Sequence, residues 1–173
     1  TAREVFLHHA KKSLDDQEID LTPYDAVIED VGSRKLRQLG LSRRKIRQIS
    51  SDMVLVSLSP FGLTGPYAHW RGTELNVQAV GGVMHMCGYD REAPRKLPGD
   101  TAACIAGLHA ATAVAAAVQG VAVGKEVGVH IDISAQDTFL QHWIRHVGNY
   151  VYSGTYLSGF WADRRCCITC DCA

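Results

Sequence analysis

Residues 53–62 read Met53-Val54-Leu55-Val56-Ser57-Leu58-Ser59-Pro60-Phe61-Gly62. The run from Met53 to Leu58 is apolar and β-branched, and Pro60 and Gly62 then force a loop, which predicts a buried strand ending in a turn. Upstream, Asp25-Ala26-Val27-Ile28-Glu29-Asp30 is a second short apolar run that stops at a polar break near Glu29, as a buried parallel strand does. Between the two, Leu36, Leu39, Leu41 and Ile46 are spaced among many Arg and Lys from Lys35 to Ile49, with Gly40 dividing them. That spacing predicts one or two short helices. Strand, helix and strand in this order argue a right-handed βαβ unit.

Downstream the pattern continues. The loop from Ser59 to Gly72 carries turns at Gly62 and Gly65-Pro66, with Tyr67, His69, Trp70 and Arg71 following, and reads as a gripping surface. Glu74 to Val83 predicts a helix ending at Gly81-Gly82, and 88–98 a charged loop. Thr101 to Gln119 is an alanine-rich helical run with Ile105, Leu108, Val114 and Val118, headed by Gly99-Asp100. Val129 to Ser134 alternates as a strand, and Gln136 to Gly148 is again helical. The fold class expected is α/β: an open, Rossmann-like parallel sheet flanked by helices. Residues 24–150 form its core, 1–23 are an N-terminal segment without an assigned structure, and 151–173 are an irregular cysteine-rich tail.

Eighteen basic residues balance eighteen acidic ones in the 173-residue chain, so no net field draws it to nucleic acid or to an anionic membrane. No charged start followed by an apolar run marks the N-terminus, and Ala102 to Val123 is interrupted by His109, Gln119 and glycines. The expectation is a cytoplasmic protein with no nucleic-acid or membrane partner. Cys87 and Cys104 are scattered, whereas Cys166, Cys167, Cys170 and Cys172 crowd together, which is not an extracellular disulfide framework. Cys167 and Cys170 have the spacing of a metal-binding or redox pair, yet no second Cys/His pair completes a four-ligand site, so no metal is expected. His142 and His146 stand four apart, but no carboxylate ligand joins them. His109 reads as a hydrogen-bonded core residue.

Asp100 is the sharpest chemical candidate. A carboxylate at a helix head faces unpaired backbone N–H groups and the positive end of the helix dipole, which keep it ionised. An ionised, partly desolvated carboxylate can attack an activated acyl carbon. The same residue type is also an ordinary N-cap, worth about 1 kcal/mol of helix stability. Gly62, Gly65, Gly81, Gly82 and Gly99 allow close backbone approach to a ligand, or simply make turns. No dinucleotide or phosphate-loop fingerprint is present.

Four stretches together resemble the class III CoA-transferases, the group of formyl-CoA and carnitine CoA-transferases and their racemase relatives. Val27-Ile28-Glu29-Asp30 with Leu36-Arg37-Gln38-Leu39-Gly40-Leu41 resembles the family's V-V-E-N-F-R-P-G and L-G-L segment. Ser57 to Tyr67 is similar to S-I-S-G-F-G-x-T-G-P-Y, and Gln78 to Met84 to Q-A-x-x-G-x-M. Gly99-Asp100, Gly107 to Ala111 and His130 to Asp137 resemble the catalytic G-D, its helix and the strand G-x-V-D-V-S-x-x-D. The likeness runs from Tyr24 to Asp137.

The resemblance implies that Asp100 is the acyl-accepting aspartate, passing through an aspartyl anhydride and an aspartyl-CoA thioester. It implies CoA contacts at Asp30, Gln38, Leu39, Arg71, Glu74 and Gly99, with Gln38 and Leu39 on the adenine side. Coenzyme A enters as an acyl thioester substrate rather than as a covalently bound cofactor. The partners implied are a small-molecule acyl-CoA, a carboxylic acid and a second copy in an interlocked homodimer. Asp30-Val31-Gly32-Ser33-Arg34 departs from N-F-R-P-G, losing the usual asparagine and arginine. Family members are longer, so the chain is expected to lack a first strand and a later small domain. The alternatives are an acyl-CoA racemase, disfavoured because Thr73 rather than histidine precedes Glu74, a truncated non-catalytic homologue, and a cysteine-based metal or redox module.

Overall fold

The computed structural model describes residues 11, 20–87, 93–124, 127–142 and 144–154. The cysteine cluster at 166–172 and most of the segment 1–23 lie outside them. Among the described residues, three parallel strands form the sheet: β1 (Ala26–Glu29), β2 (Val54–Ser59) and β3 (His130–Ser134), in the order β1-β2-β3. Ala26 pairs with Val54 and Glu29 with Ser57 on one side of β2, while Leu55 pairs with His130 and Ser59 with Ser134 on the other. The α/β class and the parallel sheet are as the sequence predicts.

β2 is apolar without alternation because it is buried on both faces. Val54 and Val56 point to one side, into a cluster with Ala110, Ala117 and Ile133. Leu55 points to the other, where it meets Leu21, Leu36, Leu41, Ile46 and Met53. The expectation of full burial fails for β1. Ile28 is 53% exposed because β1 is an edge strand among the described residues.

Two short helices, α1 (Gly32–Gln38) and α2 (Arg43–Ile49), make the crossover between β1 and β2. Gly40 separates them at φ +72°, a left-handed value that disfavours any Cβ. Ser42 starts α2 by accepting a hydrogen bond from the Lys45 amide at 3.2 Å. After β2 and its loop come α3 (Glu74–Val80) and α4 (Val83–Met86). The helix expected from Glu74 ends at the Gly81-Gly82 turn as predicted, with Gly82 at φ +76°, and α4 is a separate short piece after that turn.

The alanine-rich run forms α5 (Thr101–Ala122). Its buried residues Ala102, Ala106, Ala110 and Ala117 fall on one face, and their small side chains let the helix lie close to the sheet. By length and composition α5 could cross a bilayer, but its alanine face packs on strands and helices of this fold. The helix expected from Gln136 to Gly148 is split into α6 (Ala135–Gln141) and α7 (Ile144–Ser153). The His142 ring Nδ1 lies 2.9 Å from the Thr138 carbonyl, the acceptor that its own backbone N–H would use in a continuing helix. That N–H donates instead to Phe139 O, which tightens the last turn. His142 and His146 therefore do not share a helix face. His142 meets His109 edge-to-face at 5.5 Å, and no group of three metal-ligating side chains occurs among the described residues.

Candidate functional site at the carboxyl ends of the strands

A cleft of about 210 Å³ opens at the carboxyl ends of the three strands, where open parallel sheets bind their ligands. Asp30 lines it just past β1, Ser59 and Pro60 at the end of β2, and Ala135 just past β3. Thr73, Glu74 and Val77 of α3 and Ala102, Ala103 and Ala106 of α5 close the other side. The Ser59 hydroxyl oxygen is buried with no hydrogen-bond partner among the described residues, so a bound molecule could satisfy it.

The loop that forms the rim is fixed by strand β3. Asp132 accepts a hydrogen bond from the Leu63 amide at 2.9 Å, while Gly62 adopts φ +82°, a left-handed value that favours glycine. The aromatic residues read as a gripping surface mostly hold one another. Phe61 is buried, Tyr67 and Trp70 each lie 6.2 Å from it, and the two are 4.5 Å apart.

Of the candidate residues, the cleft gathers Asp30 and Glu74. Arg71 is exposed on the rim, immediately before the cleft residues Gly72 and Thr73. Gln38 and Leu39 are exposed at the end of α1 and do not line the cleft. Gly99 is exposed at φ +64°, and its carbonyl accepts from Lys96 Nζ at 2.9 Å. Asp100 stands at the N-cap of α5 as expected, with the helix running from Thr101. It is exposed, and Ala102 rather than Asp100 itself reaches the cleft lining.

The electrostatic reading of Asp100 needs correction. Its side chain makes no capping hydrogen bond to its own helix. The amides of Ala102 and Ala103 donate instead to Glu74, at 2.7 Å to Oε1 and 3.3 Å to Oε2. Glu74 reaches across from α3, so those N–H groups are available neither to Asp100 nor to an oxyanion. Glu74 Oε1 also accepts from Gln78 Nε2 at 2.6 Å. Gln78 is completely buried, and its Oε1 accepts from the Leu97 amide at 2.7 Å while Nε2 lies 3.4 Å from the Leu97 carbonyl. Sequence patterning missed Gln78 as the partner of Glu74, although a polar residue in the middle of a buried helix face was the signal available.

Beneath the cleft, Ser57 Oγ lies 2.9 Å from His130 Nε2. Ser57 is 1% exposed, so this pair is structural rather than a nucleophile and its base. Burial pushes the imidazole below its ordinary value of 6.5, and the Arg43 charge adds to that, against the smaller opposing pull of Asp132 and Glu29. Because the unfolded chain then takes up the proton first, this contribution is complete above pH 6.5 and is lost as pH falls toward the folded value. His130→Gln is expected to flatten the fall in thermal midpoint measured between about pH 7.5 and 5.

The profile of CoA-transferase family III matches residues 22–160, most of the chain. The chain belongs to CoA-transferase family III. A relative named succinate–glutarate CoA-transferase, from Agrobacterium fabrum, is 30% identical over 130 residues, covering 75% of this chain and 32% of the relative. Human succinyl-CoA:glutarate CoA-transferase is 32% identical over 123 residues, covering 68% of this chain and 27% of that protein. Among solved structures, a CAIB/BAIF family protein from Brucella suis superposes with a TM-score of 0.73 at 28% identity, over 80% of this chain and 36% of the other. The chain thus spans about a third of the length of the family III relatives it matches.

Proposed function

We propose that the protein moves CoA between an acyl-CoA thioester and a carboxylic acid, with Asp100 as the acyl acceptor. The observation that carries this reading is the division of labour at the head of α5, where Glu74 caps the helix and the Asp100 side chain does not. The Glu74 oxygens accept from Ala102, Ala103 and Gln78, which gives Glu74 a structural task at this helix start. The family membership and the relatives' names, which describe transfer among acyl-CoA and acids, support the same chemistry.

In the proposed cycle an Asp100 carboxylate oxygen forms a bond to the thioester carbon, and the C–S bond breaks to release CoA thiolate and leave a mixed anhydride. The thiolate then attacks the aspartyl carbonyl, giving an aspartyl-CoA thioester and the first acid as its carboxylate. An acceptor carboxylate attacks in turn, and the two steps run in reverse to regenerate Asp100. Coenzyme A is a substrate throughout. Asp30 and Ser59 in the cleft, Arg71 and Gly99 at its margin, and Gln38 and Leu39 beyond it are assigned to binding the CoA arm. A homodimer would supply cover for Asp100, which is exposed in this chain.

Incubation with acyl-CoA followed by hydroxylamine tests the reading, because an activated carboxyl is converted to a hydroxamate. Peptide mass analysis is expected to place the modification on Asp100, dependent on acyl-CoA. Modification of Glu74 instead, or of neither residue, overturns it.

A further inference from the structure

We infer that the cleft at the strand ends takes the short acyl chain of a monocarboxylic acid and refuses one that carries a second carboxylate. The inference rests on the reading of this site as an acyl-CoA site and deepens it by naming the class of acyl group. It does not depend on which residue attacks the thioester.

At about 210 Å³ the cleft is smaller than the roughly 300 Å³ at which pockets begin to enclose a drug-sized molecule, so it takes only part of a thioester. Its walls are hydrocarbon: Leu58 and Pro60 from the end of β2, Val77 from α3, Ala103 from α5 and Ala135 from the start of α6. Among the described residues no lysine, arginine or histidine lines it, and the two ionisable groups that do are Asp30 and Glu74. Asp30 is exposed and Glu74 half-buried.

The start of a helix ordinarily attracts an anion, because its first amides lack partners. In α5 the amides of Ala102 and Ala103, two residues of the cleft lining, donate to Glu74 at 2.7 and 3.3 Å. The protein's own carboxylate thus stands where a substrate carboxylate would settle. Gln78 keeps it there: its completely buried side chain donates to Glu74 through Nε2 and accepts from the Leu97 amide through Oε1. A further anion in the cleft would give up water to meet two like charges and no counter-ion. The nearby cations do not change this. Arg71 is exposed on the rim, and Lys96 Nζ is held on the carbonyls of Leu97 and Gly99. The Ser59 hydroxyl, buried without a partner among the described residues, suits an uncharged ligand instead, since it can donate to a carbonyl oxygen of the thioester arm. Succinate and glutarate, in the names of two relatives, are dicarboxylic acids, so this preference departs from those names.

Thioether analogues of acyl-CoA bind without reacting, so calorimetric titration of the protein reads the cleft apart from the chemistry. S-butyl-CoA is expected to bind at least about tenfold more tightly than S-carboxypropyl-CoA, which has the same chain length and ends in a carboxylate. S-pentyl-CoA, neutral and longer, should stay within about threefold of S-butyl-CoA. Asp30→Asn removes one charge at nearly constant shape and should narrow the gap between the first two by at least about threefold. Ala103→Leu fills the cleft from an exposed helix position where leucine is nearly as favourable as alanine. It should lower the preference for S-butyl-CoA over S-methyl-CoA by at least about fivefold.

Equal binding of the butyl and carboxypropyl analogues overturns the inference. A loss with S-pentyl-CoA as large as that with the carboxypropyl analogue would make the refusal one of size, and an unaltered gap in Asp30→Asn would remove charge as its cause. An unaltered preference in Ala103→Leu would put the acyl chain outside this cleft. The underlying reading fails differently. If none of the CoA thioethers binds, the site is not an acyl-CoA site and both fall, whereas equal affinities in a protein that transfers CoA leave only the class of acyl group wrong.

Discussion

Asp100→Ala is expected to abolish transfer, lowering kcat by at least about a thousandfold, as loss of a covalent nucleophile does. Its thermal midpoint should move by no more than about 2–4 °C, the equivalent of a lost N-cap. The separation of the two effects follows from the head of α5. The helix keeps its cap when Asp100 is truncated, because Ala102 and Ala103 donate to Glu74. The Asp100 carbonyl still accepts from Cys104 at 3.0 Å, and an alanine supplies the same carbonyl. Thioester exchange between labelled acid and acyl-CoA, with circular dichroism on the same preparation, reads both quantities. An active Asp100→Ala would move the chemistry to another carboxylate. A variant that unfolds would show that Asp100 holds the helix after all.

The sheet was legible because its cause is local. Val54 to Leu58 is apolar on both faces, and a strand so composed must be covered on both sides, as α5 covers it on one and Leu36, Leu41 and Ile46 on the other. Asp100 at the start of a helix was legible for the same reason, since Gly99-Asp100 before an alanine run is a starting signal within a few residues. The cap itself was not. Glu74 and Ala102 are 28 positions apart, and nothing local distinguishes a glutamate that reaches a neighbouring helix from one that faces water. The placement of Gln38 and Leu39 away from the cleft is likewise tertiary, set by how α1 lies beside β2. The end of α6 shows another failure, because hydrophobic period alone carried one helix from Gln136 to Gly148 where the structure has two.

Phe139→Ala should be the most destabilising single truncation of the core around the site, by about 3–5 kcal/mol, or on the order of 10 °C in thermal midpoint. The side chain has no exposed surface and belongs to the cluster of Phe61, Val77, Val83, Cys87, Ala102, Ala106 and Ala135. Its ring also lies against Gly81 at the end of α3, where a Cβ would meet it at 3.4 Å. Phe139 thus packs where α3 and α5 meet, and their spacing decides whether Glu74 can reach Ala102 at 2.7 Å. A cavity there need only let α3 settle by a fraction of an ångström to weaken that bond. The trapping rate at Asp100, measured well below the transition, is therefore expected to drop although Phe139 lines no part of the cleft. Leu140→Ala is the control: its neighbour in α6 is 40% exposed and should cost no more than about 0.5 kcal/mol, leaving the trapping rate alone. Equal rates in the two variants would mean that α3 and α5 are held by contacts other than this ring, and that the geometry at Asp100 is insulated from the core beneath it.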